Sequence, residues 1–134
     1  MNLQVGVDLV EIARIEAVLG RYGQRFLDRI YTPGEQRRAR GRPAELAARF
    51  AAKEAAMKAL GTGRYGVGWR EVELLSDPRG RPLLRLHGRA AARAAALGLA
   101  EWAVSLSHER SMAVAMVVAW GSASMPGCAA EERG

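Results

Sequence analysis

The sequence predicts an α+β domain, a mainly antiparallel sheet packed on one long central helix. Three observations carry that expectation. Apolar residues make up 49% of the 134 positions and charged residues 25%, a balance that supports one real core and not two. One long alanine-rich stretch, from about Ala44 to Leu60, sits between Pro43 and Gly61 and reads as a helix with a start and a stop. The segments around it run strand, helices, hairpin, helix, hairpin, an order that favours antiparallel pairing.

Taken in turn, Leu3 to Val7 ("LQVGV") reads as a short buried strand. In "DLVEIARIEAVLG" the residues Leu9, Ile12, Ile15 and Leu19 recur at helical spacing, and Gly20 is the expected stop. "YGQRFLDRI" reads as a further short helix. Thr32-Pro33-Gly34-Glu35 has the hydroxyl, the proline and the glutamate three residues on that open a helix. Gly41-Arg42-Pro43 breaks that piece before the long helix begins. A glycine-rich loop covers 61–69. Val72 to Leu75 and Leu83 to Leu86 flank Asp77-Pro78-Arg79-Gly80, which is turn chemistry for a hairpin. Arg89 to Leu97 is an alanine-rich helix stopped by Gly98, and Trp102 to Ser107 and Met112 to Trp120 are two strands joined near His108-Glu109-Arg110. The domain is expected to span 1–120, with 121–134 a loose tail that shows no periodicity.

Composition limits the function classes. No apolar run approaches the ~20 residues that cross a bilayer, nothing at the N-terminus reads as an export leader, and Cys128 is the only cysteine. Internal disulfides and cysteine metal sites are excluded, and a cytoplasmic setting is expected. The net charge is +6, and between Arg21 and Arg49 eight arginines face only Asp28, Glu35 and Glu45. Such a face implies an anionic partner: nucleic acid, a phosphorylated small molecule or an acidic protein. A nucleic-acid-binding module is the rival that this charge alone would allow. Against it, only eight aromatic residues occur in the chain, few for a stacking platform, and no helix-turn-helix or zinc pattern appears.

The candidate chemistry lies in three places. Asp8 follows the first strand; with Glu11 three residues on, its pattern reads first as an N-cap, and secondly as a carboxylate held at a strand end for a metal. The two readings use different oxygens and can coexist. In "RFAAKEAAMKALG", Glu54 and Lys58 have the spacing of a helical ion pair. Arg49 and Lys53 repeat that four-residue step with like charges, a cost best explained by an anion between them. Asp8 and Glu54 would suit magnesium, which takes few protein carboxylates and completes its shell with water and phosphate oxygens. In "VSLSHERSMAVAMVVAW", Ser105 and Ser107 share a strand face and His108 ends the strand; ligand contact is favoured over a nucleophilic couple because adjacent strand residues point to opposite faces. Arg14, Arg21 and Arg25, seven and four residues apart, would share one helical face as a solvated stripe or as a dock for an acidic helix.

Three segments, "GVDLVEIARIE" (6–16), "RFAAKEAAMKALGTG" (49–63) and "VSLSH" with its following strand (104–119), together resemble the holo-acyl-carrier-protein synthase family, the small 4'-phosphopantetheinyl transferases. The resemblance implies that family's single-domain fold. It also implies transfer of the phosphopantetheine arm of coenzyme A to a serine of an apo acyl carrier protein, in fatty acid biosynthesis, with release of adenosine 3',5'-bisphosphate. It implies magnesium on Asp8 and Glu54, and Lys58 on the phosphates. Arg49, Gly61, Ser107 and His108 fall near the nucleotide, and Arg14, Arg21 and Arg25 grip the carrier protein's acidic helix. A homotrimer with shared sites is implied as well; neither nucleic acid nor membrane is.

Overall fold

A computed structural model describes residues 2–63 and 66–121 of the chain. Arg64 and Tyr65 of the glycine-rich loop, and 122–134 of the expected tail, lie outside the described residues. The elements run β1 (Asn2–Glu11), α1 (Ile12–Tyr22), α2 (Gln24–Ile30), α3 (Pro33–Ala39), α4 (Pro43–Leu60), a 3-10 turn (Trp69–Glu71), β2 (Val72–Ser76), β3 (Pro82–Leu86), α5 (Gly88–Ala96), β4 (Glu101–His108) and β5 (Met112–Gly121). β5 is the middle strand of a three-stranded antiparallel sheet, with β1 on one side and β4 on the other. β2 and β3 form a separate hairpin. The predicted α+β class, with one long helix on an antiparallel sheet, is what the chain adopts.

α4 packs against β1 and β5, and its alanines are the reason it can. Ala47, Ala51, Ala52, Ala55 and Ala56 are fully buried, as are Ala113, Ala115, Val117 and Ala119 on the facing side of β5. Small side chains on both partners let backbone approach backbone. The approach is closest at Gly6, where an added methyl would collide with the Ala55 carbonyl of α4. In β1 the alternate residues Leu3, Val5, Val7 and Leu9 point away from α4, and each is more than half exposed. By register they lie beside Trp120, Val118, Met116 and Val114 of β5. One face of the sheet is thus covered by a helix, and the other is apolar and bare.

Local signals explain the helix boundaries. Thr32 and Glu35 form the expected reciprocal cap: the Glu35 amide donates to the Thr32 hydroxyl at 3.2 Å, and the Thr32 amide donates to Glu35 Oε1 at 3.0 Å. Gly61 stops α4 in the left-handed conformation at φ 73°. Asp77 closes the hairpin by accepting from the Arg79 and Arg81 amides. Glu71 joins the 3-10 turn to α5 by accepting from the Gly68 and Arg89 amides. Burial pushes Glu71 up, but those amides and the Arg89 guanidinium outweigh it and hold its carboxyl below the ordinary 4.5.

The structure corrects several expectations at the N-terminus and one on α4. β1 is not a buried strand ending at Val7; it pairs with β5 as far as Glu11 opposite Met112. Asp8 is therefore within the strand and caps no helix, because three more ladder residues, Leu9, Val10 and Glu11, follow it. The N-cap of α1 is Glu11, which makes no side-chain cap bond, and Leu9 belongs to the strand. α1 passes through Gly20 and ends before Gly23, whose φ of 55° turns the chain into α2. Lys53, expected to share an anion with Arg49, is instead completely buried, with its ammonium 2.7 Å from Glu35. Side chains four apart on α4 share a face only approximately, and this one faces the core.

Gly6→Ala should lower the thermal midpoint by about 5 °C or more, since overpacking at backbone contact costs ~1–3 kcal/mol. Gly20→Ala, where a methyl meets nothing within 4 Å, should leave the midpoint unchanged or raise it. Equal melting of Gly6→Ala and the parent protein would refute the close approach of α4 to β1.

Candidate active site

Asp8 lies on the α4 side of β1, two residues beyond the Gly6 contact. Its carboxylate accepts from the Lys58 ammonium at 3.1 Å, and the same ammonium donates to the Val7 carbonyl at 2.8 Å. Lys58, placed by sequence four residues after Glu54, thus reaches across to the strand. The Asp8 side chain is 17% exposed and that of Lys58 52%, so this pair stands at the rim of the helix–sheet contact, open to a ligand.

A cavity of about 510 Å³ opens beside this pair, bounded by β1, α1, α2 and α4. It is lined by both Asp8 and Glu54, the two acids that the sequence places far apart. Arg14 enters from α1, and Phe26 and Arg29 from α2. Phe50 and Trp69 supply an aromatic wall, their rings stacked at 4.9 Å. Among the described residues no group of three or more His, Cys, Asp or Glu is placed to hold a metal. A cation here would have two principal carboxylates and would draw its other oxygens from water and ligand. That donor set fits magnesium and does not suit zinc, which prefers nitrogen and sulfur in a closed shell.

A second, smaller cavity of about 240 Å³ gathers Arg49, Ser107 and His108 with Glu45, Gly80 and Pro82. Arg49 is 5% exposed; its Nη1 donates to the Glu45 carbonyl at 3.2 Å and lies 3.4 Å from the Glu45 carboxylate. Its Nε is buried without a hydrogen-bond partner. An unused buried donor is costly, ~1–3 kcal/mol, and is tolerated most easily where a ligand shapes the site.

The remaining expected residues are dispersed. Arg21 on α1 lies over the Tyr22 ring at 5.3 Å and Arg25 is exposed on α2. The break at Gly23 puts them on two helices, so no single helical face presents Arg14, Arg21 and Arg25 together. Gly61 lines neither of these two cavities and serves as the left-handed end of α4. Arg29, Phe50 and Trp69 were not singled out from sequence. The four-residue step from Arg25 to Arg29 was a usable signal for the first; for the aromatic pair no local pattern existed. The arginines of α3 and its following turn, Arg37, Arg38, Arg40 and Arg42, line a separate concavity against β2.

A sequence model of the 4'-phosphopantetheinyl transferase superfamily matches residues 4–115. The chain belongs to that superfamily. The expected likeness to the holo-acyl-carrier-protein synthases holds as well. The synthase of Herpetosiphon aurantiacus is 52% identical over 126 residues, covering 89% of this chain and 99% of its own. That of Solidesulfovibrio magneticus is 56% identical over 121 residues, covering 87% and 97%. Among solved structures, the Helicobacter pylori synthase in complex with coenzyme A superposes with a TM-score of 0.80 at 30% identity, covering 87% of this chain and 99% of that one. All three segments that carried the resemblance therefore lie in one phosphopantetheinyl transferase fold, at least in part within the matched span 4–115.

Proposed function

We propose that this chain transfers the 4'-phosphopantetheine arm of coenzyme A to a serine hydroxyl of an apo acyl carrier protein and releases adenosine 3',5'-bisphosphate. The observation that carries the reading is the meeting of Asp8 and Glu54 in one cavity, with Lys58 hydrogen-bonded to Asp8. Asp8 and Glu54 would hold magnesium, which when bound neutralises charge on the coenzyme A diphosphate. Lys58 sits where its ammonium can turn from Asp8 to a phosphate oxygen. Arg49, Ser107 and His108 form the neighbouring subsite for the nucleotide end. The attacking oxygen belongs to the carrier's serine: its bond to phosphorus forms as the bond to the adenosine-bearing phosphate breaks, and the serine proton leaves. No nucleophile is needed from this chain, so its work is positioning and charge stabilisation. Of this chain's side chains, Glu54 and Lys58 are our candidates to handle that proton.

Carrier proteins of this reaction would dock by an acidic helix on Arg14, joined by Arg21 at the end of the same helix, by Arg25 of α2 and by Arg29 at the cavity edge. The apolar outer face of the sheet, Leu3, Val5, Val7, Leu9 and Met116, supports self-association, since so continuous an exposed patch is unusual on a monomer; that the assembly is a homotrimer is our reading of the family likeness. Among the described residues no helix is long and apolar enough to cross a membrane; a cytoplasmic setting and a role in fatty acid biosynthesis are our reading of the family likeness.

The test is to mix the protein, magnesium, coenzyme A and an apo carrier protein and weigh the carrier. A mass gain of one phosphopantetheine arm is expected, and none across several carriers would defeat the proposal. In the same assay Glu54→Gln should lose at least about 100-fold in rate while keeping the fold. Arg14→Ala with Arg21→Ala should raise the KM for carrier about tenfold and leave that for coenzyme A nearly unchanged; equal effects on both would remove the docking face. Sedimentation should give three times the 14.5 kDa chain mass, and a monomer at micromolar concentration would contradict the role of the sheet face.

A further inference from the structure

Lys53 is the residue before Glu54, yet it serves neither cavity directly. It is wholly buried, and Glu35 beside it is 1% exposed. Its ammonium makes three hydrogen bonds to three separate segments: Glu35 Oε1 of α3 at 2.7 Å, the Trp69 carbonyl of the 3-10 turn at 3.1 Å and the Val72 carbonyl of β2 at 2.6 Å. Glu35 in turn accepts from the Thr32 amide with Oε1 and from the Leu74 amide with Oε2, at 3.0 and 3.1 Å. All three ammonium protons and both carboxylate oxygens are used; the Lys53 bonds tie α4 to α3, the 3-10 turn and β2, and Glu35 ties α3 to β2.

Stability does not require such an arrangement. A buried ion pair loses so much hydration that well-packed neutral replacements are often as stable. What an ammonium with three fixed acceptors does supply is a defined position for each acceptor. One of them is Trp69, whose ring stacks on Phe50 to make the aromatic wall of the cavity that holds Asp8 and Glu54. On α4 Phe50 and Glu54 are one turn apart, on the cavity side, while Lys53 points into the core. Anchoring Lys53 therefore fixes both the turn of α4 about its axis and the wall that faces the incoming partner.

We propose that the Glu35–Lys53 pair is a positioning element for the transfer reaction: Lys53 holds the Trp69 carbonyl so that Trp69 and Phe50 form the apolar surface on which the carrier protein seats its serine end. This rests on the transferase reading above and adds to it two residues that touch no substrate. The pair acts through Trp69 on the carrier side; neither Trp69 nor Phe50 lines the Arg49–Ser107–His108 cavity, which the pair meets at the Leu74 amide on Glu35 Oε2, a bond that the amide oxygen of Glu35→Gln can still accept.

A double-mutant cycle tests this, using steady-state kinetics with apo carrier protein and coenzyme A varied separately. Its corners are the parent chain, Glu35→Gln/Lys53→Met, Trp69→Ala and the combination. Loss of Trp69 and loss of the pair should each lower kcat/KM for carrier about tenfold and leave the KM for coenzyme A within about twofold. The combination should also lie near tenfold, because both changes disable one wall. A hundredfold loss in the combination, a KM for coenzyme A that rises in step, or parental kinetics in Trp69→Ala would each overturn the proposal. So would failure of Glu35→Gln/Lys53→Met to fold, read by its thermal melt, since the pair would then be a stability element. Trp69→Ala, whose residue is only half-buried, gives its answer whether or not the other variant folds. An inactive parent chain would instead speak against the transferase reading.

Discussion

The close contact of α4 with β1 at Gly6 is the constraint from which the site follows. A helix can lie this near a strand only where neither partner carries bulk, which is why α4 is built from alanine and why the facing positions of β1 and β5 are glycine, alanine and valine. Once the helix is seated, the polar residues along its edges have no freedom to choose partners. Lys58 falls beside Asp8, Glu54 opens into the same cavity as Asp8, and Lys53 is driven into the core against Glu35. Blandness in the middle of the helix and charge at its edges are two results of one packing geometry.

The same sheet that receives α4 on one face leaves the other face apolar. Leu3, Val5, Val7 and Leu9 alternate along β1 with Gly6, Asp8 and Val10, so one strand carries both a helix-packing face bearing Asp8 and an exposed apolar face. The period of two separates these duties without a linker or an added element. Arg49, Ser107 and His108 line a cavity where α4 meets the β4 end, separate from the cavity that Arg14 of α1 and Arg29 of α2 line.

Much of this was legible because the signals were local. Thr32-Pro33-Gly34-Glu35 names its own cap, Asp77 its own turn, and Pro43 and Gly61 the limits of α4, each by chemistry within four residues. Asp8 was misread as a cap for the complementary reason. Whether a strand stops at Val7 or continues to Glu11 is decided by pairing with β5, a hundred or so positions away, and no local pattern records that. Lys53 misled in a similar way: its four-residue spacing from Arg49 suggested a shared face, whereas burial against Glu35 depends on where α3 and β2 lie. The meeting of Asp8 and Glu54 was reached through the family likeness, since composition and periodicity alone leave the two acids unconnected. The wall of Phe50 and Trp69 is a purely tertiary feature and had no trace in either segment.

The most direct measurement of the central claim is an anomalous difference map from crystals grown with manganese and coenzyme A. Convergence of the two acids predicts one strong peak within coordination distance, ~2.1–2.2 Å for a magnesium-like ion, of both the Asp8 and Glu54 carboxylates. A peak bound by only one of them, or by neither, would contradict the account.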